Sequence, residues 1–77
     1  MLVRRQRTIE AIDEVSSSIA WQDDGRQARG RISNVDLWVQ DGSVSMVRNK
    51  AKSVYVLYGQ EDMMSFVNEL KRTLGKA

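Results

Sequence analysis

The chain has 77 residues, of which 42% are hydrophobic and 29% charged, and its net charge is only +2. This mixture is typical of one small globular domain and argues against a largely disordered chain. The absence of cysteine and histidine excludes disulfides, thiolate metal sites and histidine general bases. Because so short a chain buries only a thin core, dimerisation is a common way for it to gain stability.

The first residues lack the apolar stretch of a signal peptide, and no run approaches the ~18 apolar residues of a membrane span. Small secreted domains usually depend on disulfides, which this chain cannot form. We therefore expect a cytoplasmic protein that does not contact a membrane, folded as a single α+β domain over residues 1–77.

The N-terminal third fits two alternative structures. Apolar residues at helical spacing predict a helix near residues 8–16, followed by an extended segment to Gln22. The alternation of apolar and polar residues from Val15 to Trp21 instead favours a strand, and the sequence leaves both alternatives open. Three arginines within residues 1–7 indicate a candidate flexible, basic arm ahead of this segment.

A β-meander is predicted next. The Asp23-Asp24-Gly25 turn signal leads into residues 28–33, a candidate extension of the next strand, and Asp41-Gly42 is a strong two-residue hairpin signal. Side chains that face each other across this hairpin share one side of the sheet. The predicted partners are Val39 with Val44, Leu37 with Met46, and Val35 with Arg48.

A further strand is predicted over residues 53–58, after a three-residue loop at 49–51. This loop length continues the apolar face into the new strand. The partners it predicts are Arg48 with Lys52, Met46 with Val54, and Val44 with Val56. The opposite face then aligns Trp38, Ser45 and Tyr55 across three strands.

The C-terminal region predicts an amphipathic helix from Gln60 to Leu74. Its apolar residues recur at helical spacing, and acidic residues begin it while basic residues end it, as the helix dipole favours. The stripe consists of Met63, Phe66, Val67, Leu70 and Leu74. The sequence therefore predicts an antiparallel meander of three to four strands packed against this helix, with an N-terminal helix or extra strand.

Motifs for catalysis and metal binding are missing from the sequence. Gly25 and Gly30 have the spacing of a phosphate loop, but Arg31-Ile32 stands where lysine and serine or threonine are required. The carboxylate pairs Asp23-Asp24 and Glu61-Asp62 fit a turn and a helix start better than a metal site. We expect no enzymatic activity, no cofactor and no metal.

The second face of the meander is the most informative feature for function. Trp38 and Tyr55 would form a shallow aromatic platform on which bases can stack, while a basic rim holds phosphates. The candidate rim consists of Arg29, Arg31, Arg48, Lys50 and Lys52. The first hypothesis is thus a small regulatory protein, expected to be a homodimer, that binds nucleic acid and prefers single strands.

Two other interpretations compete with this hypothesis. The N-terminal segment must bury its own apolar side, and covering Trp38 and Tyr55 would do so. Alternatively, the sheet face or an edge strand docks on a larger protein, because Trp, Tyr and Arg are frequent hot-spot residues. Such a protein would be an adaptor, or a small inhibitor of the kind that phages encode. An uncovered face also suits a dimer interface.

Overall fold

A computed structural model describes residues 2–75, with side chains from Val3 onward. Two helices pack on one face of an antiparallel sheet whose five strands neighbour each other in chain order. The elements are α1 (Leu2–Val15), β1 (Gln22–Asp23), β2 (Gln27–Ile32), β3 (Val35–Gln40), β4 (Ser43–Arg48), β5 (Ala51–Val56) and α2 (Gln60–Gly75). The α+β prediction is confirmed. The sheet has five strands where three to four were predicted, because residues 27–32 form a strand of their own that pairs with both β1 and β3. Neither described helix has the length and apolar character to cross a membrane.

The N-terminal segment adopts the helical alternative, and the helix begins well before residue 8. The flexible arm predicted over residues 1–7 is therefore wrong for residues 2–7, which form the first turns of α1. The reason is burial: Arg5 packs against the sheet, and its Nη2 lies 2.9 Å from Oδ2 of Asp23. After Val15 the chain forms a short loop, and β1 has only two residues.

The Asp23-Asp24-Gly25 turn forms as predicted and leads into β2. The Asp24 carboxylate accepts hydrogen bonds from the backbone N–H groups of Gln27 at 2.8 Å and Arg26 at 2.9 Å. These two bonds, that of Gln27 foremost, lower the pKa of Asp24 from its usual value. The carboxylate thus stabilises the turn at neutral pH, and this contribution is lost as the pH falls through the lowered pKa.

The hairpin at Asp41-Gly42 has the predicted register. Gly42 adopts a φ of 77°, and the strand partners are Val39 with Val44, Leu37 with Met46, and Val35 with Arg48. The left-handed conformation at Gly42 closes the turn without the steric penalty of a Cβ. β3 is therefore buried along one face, where Val35, Leu37 and Val39 point to the core.

The next hairpin differs from the prediction by one residue. Asn49 and Lys50 both have positive φ, at 51° and 67°, and close a two-residue turn instead of the predicted three-residue loop. Both central residues of a type I′ turn need this conformation, and asparagine adopts it readily. The observed partners are Arg48 with Ala51, Met46 with Ser53, and Val44 with Tyr55. A one-residue shift moves every side chain of β5 to the opposite face.

Both helices pack on the same side of the sheet, which we call the inner face. The amphipathic stripe predicted for α2 is confirmed, with Phe66, Val67 and Leu70 buried and Met63 and Leu74 partly buried. The buried apolar residues form one cluster, which consists of Ile9, Ile12, Ile19, Ala28, Val35, Leu37, Val39, Val44, Met46, Leu57, Phe66, Val67 and Leu70. The protein therefore has a single hydrophobic core, which lies between the two helices and the inner face of the sheet.

The loop after α1 crosses β2 at a glycine. A Cβ placed on Gly30 would lie 2.5 Å from Cγ2 of Ile19 and 2.9 Å from Cε3 of Trp21. The Trp21 Nε1 donates a 2.7 Å hydrogen bond to Oδ1 of Asp13, which ties the loop to α1. The N-terminal segment thus buries its apolar side on the inner face, away from Trp38.

Replacing Gly30 by alanine should destabilise the protein by about 1–3 kcal/mol, because the new methyl group overpacks the contact with Ile19 and Trp21. Urea unfolding followed by circular dichroism measures the change. Gly75→Ala is the matched control, since a Cβ there meets no atom within 4 Å. Equal unfolding midpoints for the two variants would contradict the close packing at Gly30.

Candidate functional site

The side of the sheet opposite the helices, here called the outer face, carries the candidate site. Neither described helix covers it, because both pack on the inner face. Its side chains follow from the strand registers. They are Gln22, Gln27, Arg29, Arg31, Asp36, Trp38, Gln40, Ser43, Ser45, Val47, Lys52, Val54 and Val56.

Trp38 lies near the centre of the outer face and is half-buried between its neighbours. Arg29 of β2 and Ser45 of β4 stand directly opposite it, and Val54 follows on β5. A shallow hollow of about 310 Å³ lies beside the indole ring. Its lining residues are Gln27, Trp38, Gln40, Ser45, Val47 and Lys52. This hollow offers a flat aromatic surface with polar and cationic groups around it.

Basic charge predominates on the outer face, where three cations stand against one carboxylate. Arg31 and Asp36 form an exposed ion pair, with 3.4 Å between Nε and Oδ1. The side-chain amide of Gln27 satisfies its neighbours when its oxygen is turned toward the guanidinium of Arg29. In that orientation the oxygen accepts hydrogen bonds from Nη2 of Arg29 at 2.8 Å and from Nε at 3.2 Å. Within residues 2–75, Arg29 and Lys52 form no ion pair with a carboxylate. Their charge is therefore available to an anionic ligand.

The structure brings some of the predicted site residues together and separates others. Trp38, Arg29, Arg31 and Lys52 share the outer face. Lys50 lies in the exposed turn between β4 and β5, at one end of the sheet. The remaining two, Tyr55 and Arg48, are on the inner face.

The predicted platform of Trp38 and Tyr55 is wrong, because the two rings occupy opposite faces of the sheet. Tyr55 packs edge-to-face against Phe66, with 5.0 Å between ring centroids and 66° between ring planes. The two-residue turn at Asn49-Lys50 causes this placement, since it pairs Tyr55 with the buried Val44. Tyr55 is thus part of the edge of the core.

The predicted position of Arg48 in the basic rim is also wrong. Its Nη1 donates a 3.0 Å hydrogen bond to the backbone oxygen of Thr73, in the last turn of α2. A cation at the C-terminal end of a helix satisfies a free carbonyl and interacts favourably with the dipole. Arg48 Nε is buried and has no hydrogen-bond partner among the described residues. The side chain therefore joins α2 to β4.

Sequence reasoning missed the exposed valines at the edge of the outer face. Val54 is 57% exposed and Val56 51% exposed, whereas the predicted register placed both in the core. Val47 stands half-buried beside them on β4. The signal that could have found them is the Asn49-Lys50 pair, since asparagine favours the left-handed conformation of a two-residue hairpin.

A second concave region lies between the two helices. This cleft of about 650 Å³ is largely apolar and carries two arginines on its α1 side. Its walls include Val3, Arg4, Arg7, Ala11, Met63 and Met64. None of the predicted site residues line it. In the described part of the chain, no three Asp or Glu side chains are grouped to hold a metal ion.

Comparisons with known proteins add no relative: no protein-family model, no curated protein and no solved structure matches this chain. We therefore infer function from the geometry and charge of the outer face.

Replacing Arg48 by alanine should destabilise the fold by about 1–3 kcal/mol, because it removes a charged hydrogen bond to the Thr73 carbonyl. Arg31→Ala is the control and should change stability by no more than about 0.5 kcal/mol, since Arg31 is exposed. Chemical denaturation of both variants measures the difference. Similar effects in the two variants would contradict a structural role for Arg48.

Proposed function

We propose that the protein is a non-enzymatic regulatory protein that binds single-stranded nucleic acid on its outer face. The observation that carries this proposal is the position of Trp38 on a sheet face that no described helix covers, directly opposite Arg29. Lys52 and Arg31 lie in the adjacent row of the sheet. The expected setting is the cytoplasm, which the lack of cysteine supports.

The outer face supplies the two groups that such binding needs. A base can stack on the indole of Trp38, a contact worth about 1–3 kcal/mol, and it can do so without sequence preference. Arg29 and Lys52, which lack carboxylate partners in residues 2–75, can contact the phosphates on either side. Because Trp38 is the one aromatic residue that the described strands place on this face, binding by one copy should be weak and strongly dependent on salt.

A fluorescence titration tests the proposal. The chain has two tryptophans, so Trp21→Phe leaves Trp38 as the sole reporter. Because this variant loses the hydrogen bond to Asp13, circular dichroism verifies that it is folded. Adding single-stranded oligonucleotide should quench Trp38, and affinity should fall as salt rises, with a log–log slope of about −2 for three cations. Binding no tighter than ~100 μM at 50 mM salt would remove the nucleic-acid hypothesis, since non-specific binders reach roughly 10⁻⁴–10⁻⁶ M at physiological salt.

Substitutions on the outer face should weaken this binding in two distinguishable ways. Trp38→Ala should raise the Kd about 5- to 150-fold, the equivalent of losing ~1–3 kcal/mol of stacking. Lys52→Ala should weaken binding modestly and make the salt slope shallower by about 0.7. Lys71→Ala is the matched control, because Lys71 is an exposed lysine on α2. An equal effect of Lys52→Ala and Lys71→Ala would indicate that the outer face is not the site.

Docking on a larger protein through the same face is the second candidate function. The exposure of Val54 and Val56 favours it, because apolar side chains beside a tryptophan and arginines are typical of protein interfaces. Such binding would depend little on salt. A protein partner whose capture is abolished by Trp38→Ala, together with no oligonucleotide binding, would support this candidate over the first.

A further inference from the structure

β5 leaves one long edge of the sheet open. Within residues 2–75 it pairs only with β4, and five of its six residues are exposed. Leu57 N–H donates a 2.9 Å hydrogen bond to the oxygen of Gly42, which continues the ladder with β4 beyond the strand. In an antiparallel ladder, successive residues direct their backbone N–H and C=O groups alternately toward one side of the strand and the other. The backbone groups of Lys52, Val54 and Val56 therefore point away from β4. Three residues thus offer free N–H and C=O groups along the edge.

The two edges of the sheet differ in a way that points to a partner at β5. The opposite edge is β1, which has only two residues, and very short edge strands resist pairing. β5 has six residues paired without a bulge, contains no proline, and has Lys52 as its single charged residue. A long, regular edge with exposed valines is a template for another strand.

We propose that the strand that pairs with this edge is β5 of a second copy, related by a two-fold axis through Val54. The two antiparallel strands would pair Val54 with Val54 of the partner subunit, and Lys52 with Val56 of the partner subunit. The result is a dimer with one continuous ten-stranded sheet. This inference deepens the proposed function, and its test requires no nucleic acid.

The register follows from the backbone groups and the charges on the edge. Only a two-fold axis at Val54 lets all three outward-pointing residues pair with one another. An axis at Lys52 would place two like charges directly opposite each other, which is destabilising. An axis at Val56 would leave Lys52 without a strand partner, because β5 ends at Val56. The axis at Val54 also brings the most exposed valine of the strand against its equivalent.

The direction of α2 relative to β5 decides how the helices of the two copies lie in this arrangement. α2 runs antiparallel to β5: Tyr58 N–H donates to Oδ2 of Asp62 at one end, and Arg48 reaches Thr73 at the other. A two-fold axis therefore sets the two α2 helices antiparallel. The acidic first turn, with Glu61 and Asp62, then points toward the basic last turn of the other helix. The α2 side chains along the junction include Asp62 and Glu69, and Arg72 of the same helix is ion-paired with Glu69.

The open groove between β5 and α2 lies on the same junction. It has a volume of about 440 Å³, and Tyr55 and Phe66 form part of its wall beside Ser65 and Glu69. In the proposed register, Ser53 of the partner subunit stands opposite Tyr55. The second copy would thus cover the side of the Tyr55–Phe66 pair that one copy leaves exposed.

Dimerisation through β5 would enlarge the proposed binding surface. The outer faces of the two copies join, so both Trp38 rings lie on one sheet, five strand spacings or about 24 Å apart. Each copy adds Arg29, Arg31 and Lys52 to the same surface. The salt slope of nucleic-acid binding should then approach about −4 per dimer, twice the value for one copy.

Sedimentation equilibrium of the full chain tests the proposal directly. The wild-type protein should sediment at twice its mass of 8.8 kDa at 100 μM. Val54→Lys and Val54→Asp should each raise the dimer dissociation constant at least tenfold, because like charges meet at the axis. Val3→Lys is the matched control, since Val3 is another exposed valine, 66% accessible against 57% for Val54, and lies on α1. Circular dichroism verifies that each variant is folded.

Mixing the two Val54 variants tests the register. An equimolar mixture of V54K and V54D should regain the dimer mass, because a lysine then faces an aspartate across the axis. A monomeric wild-type chain at 100 μM, or a V54K variant that stays fully dimeric, would overturn the proposal. Two monomeric variants that do not associate on mixing would overturn the axis at Val54. All these outcomes are independent of whether oligonucleotides bind.

Discussion

The two-residue turn at Asn49 and Lys50 decides which side of the sheet each residue of β5 occupies. With both residues in the left-handed conformation, Tyr55 joins Phe66 at the edge of the core, and Val54 and Val56 point to the outer face. This one turn determines which β5 side chains lie on the outer face and which apolar residues lie along the free edge. It also determines that Tyr55 packs on Phe66 at the edge of the core. A turn longer by one residue would exchange these roles.

A one-sided core explains why a sheet face is left open in so short a chain. α1, the loop after it and α2 all pack on the inner face, where Gly30 lets Ile19 and Trp21 approach the sheet closely. α1 therefore packs its apolar side against α2 and β3, and the loop after α1 packs against β2. No described helix is left to cover Trp38 on the other side.

Some basic residues of this protein hold the fold together, and others lie on its surface without a carboxylate partner within residues 2–75. Arg5 pairs with Asp23 in a buried position, and Arg48 binds the end of α2, so both hold helices against the sheet. Arg29 and Lys52 form no ion pair with a carboxylate in the described residues, and both lie on the outer face. A net charge of +2 for the chain thus understates the basic character of this one surface. Charge matters here through its position on the fold.

Local patterns in the sequence determined α2 and the Asp41-Gly42 hairpin, because helical periodicity and a two-residue turn signal involve only neighbouring residues. The α+β class and the position of Trp38 on the outer face follow from those elements. Only the tertiary structure decided the sides occupied by Tyr55 and Arg48 and the length of α1. The residues around Asn49 fit a turn of two residues or a loop of three. Tyr55 packs on Phe66 only with the two-residue turn. Likewise, amphipathic spacing shows that α1 has a buried side, but the face of the sheet that receives it depends on contacts between distant residues.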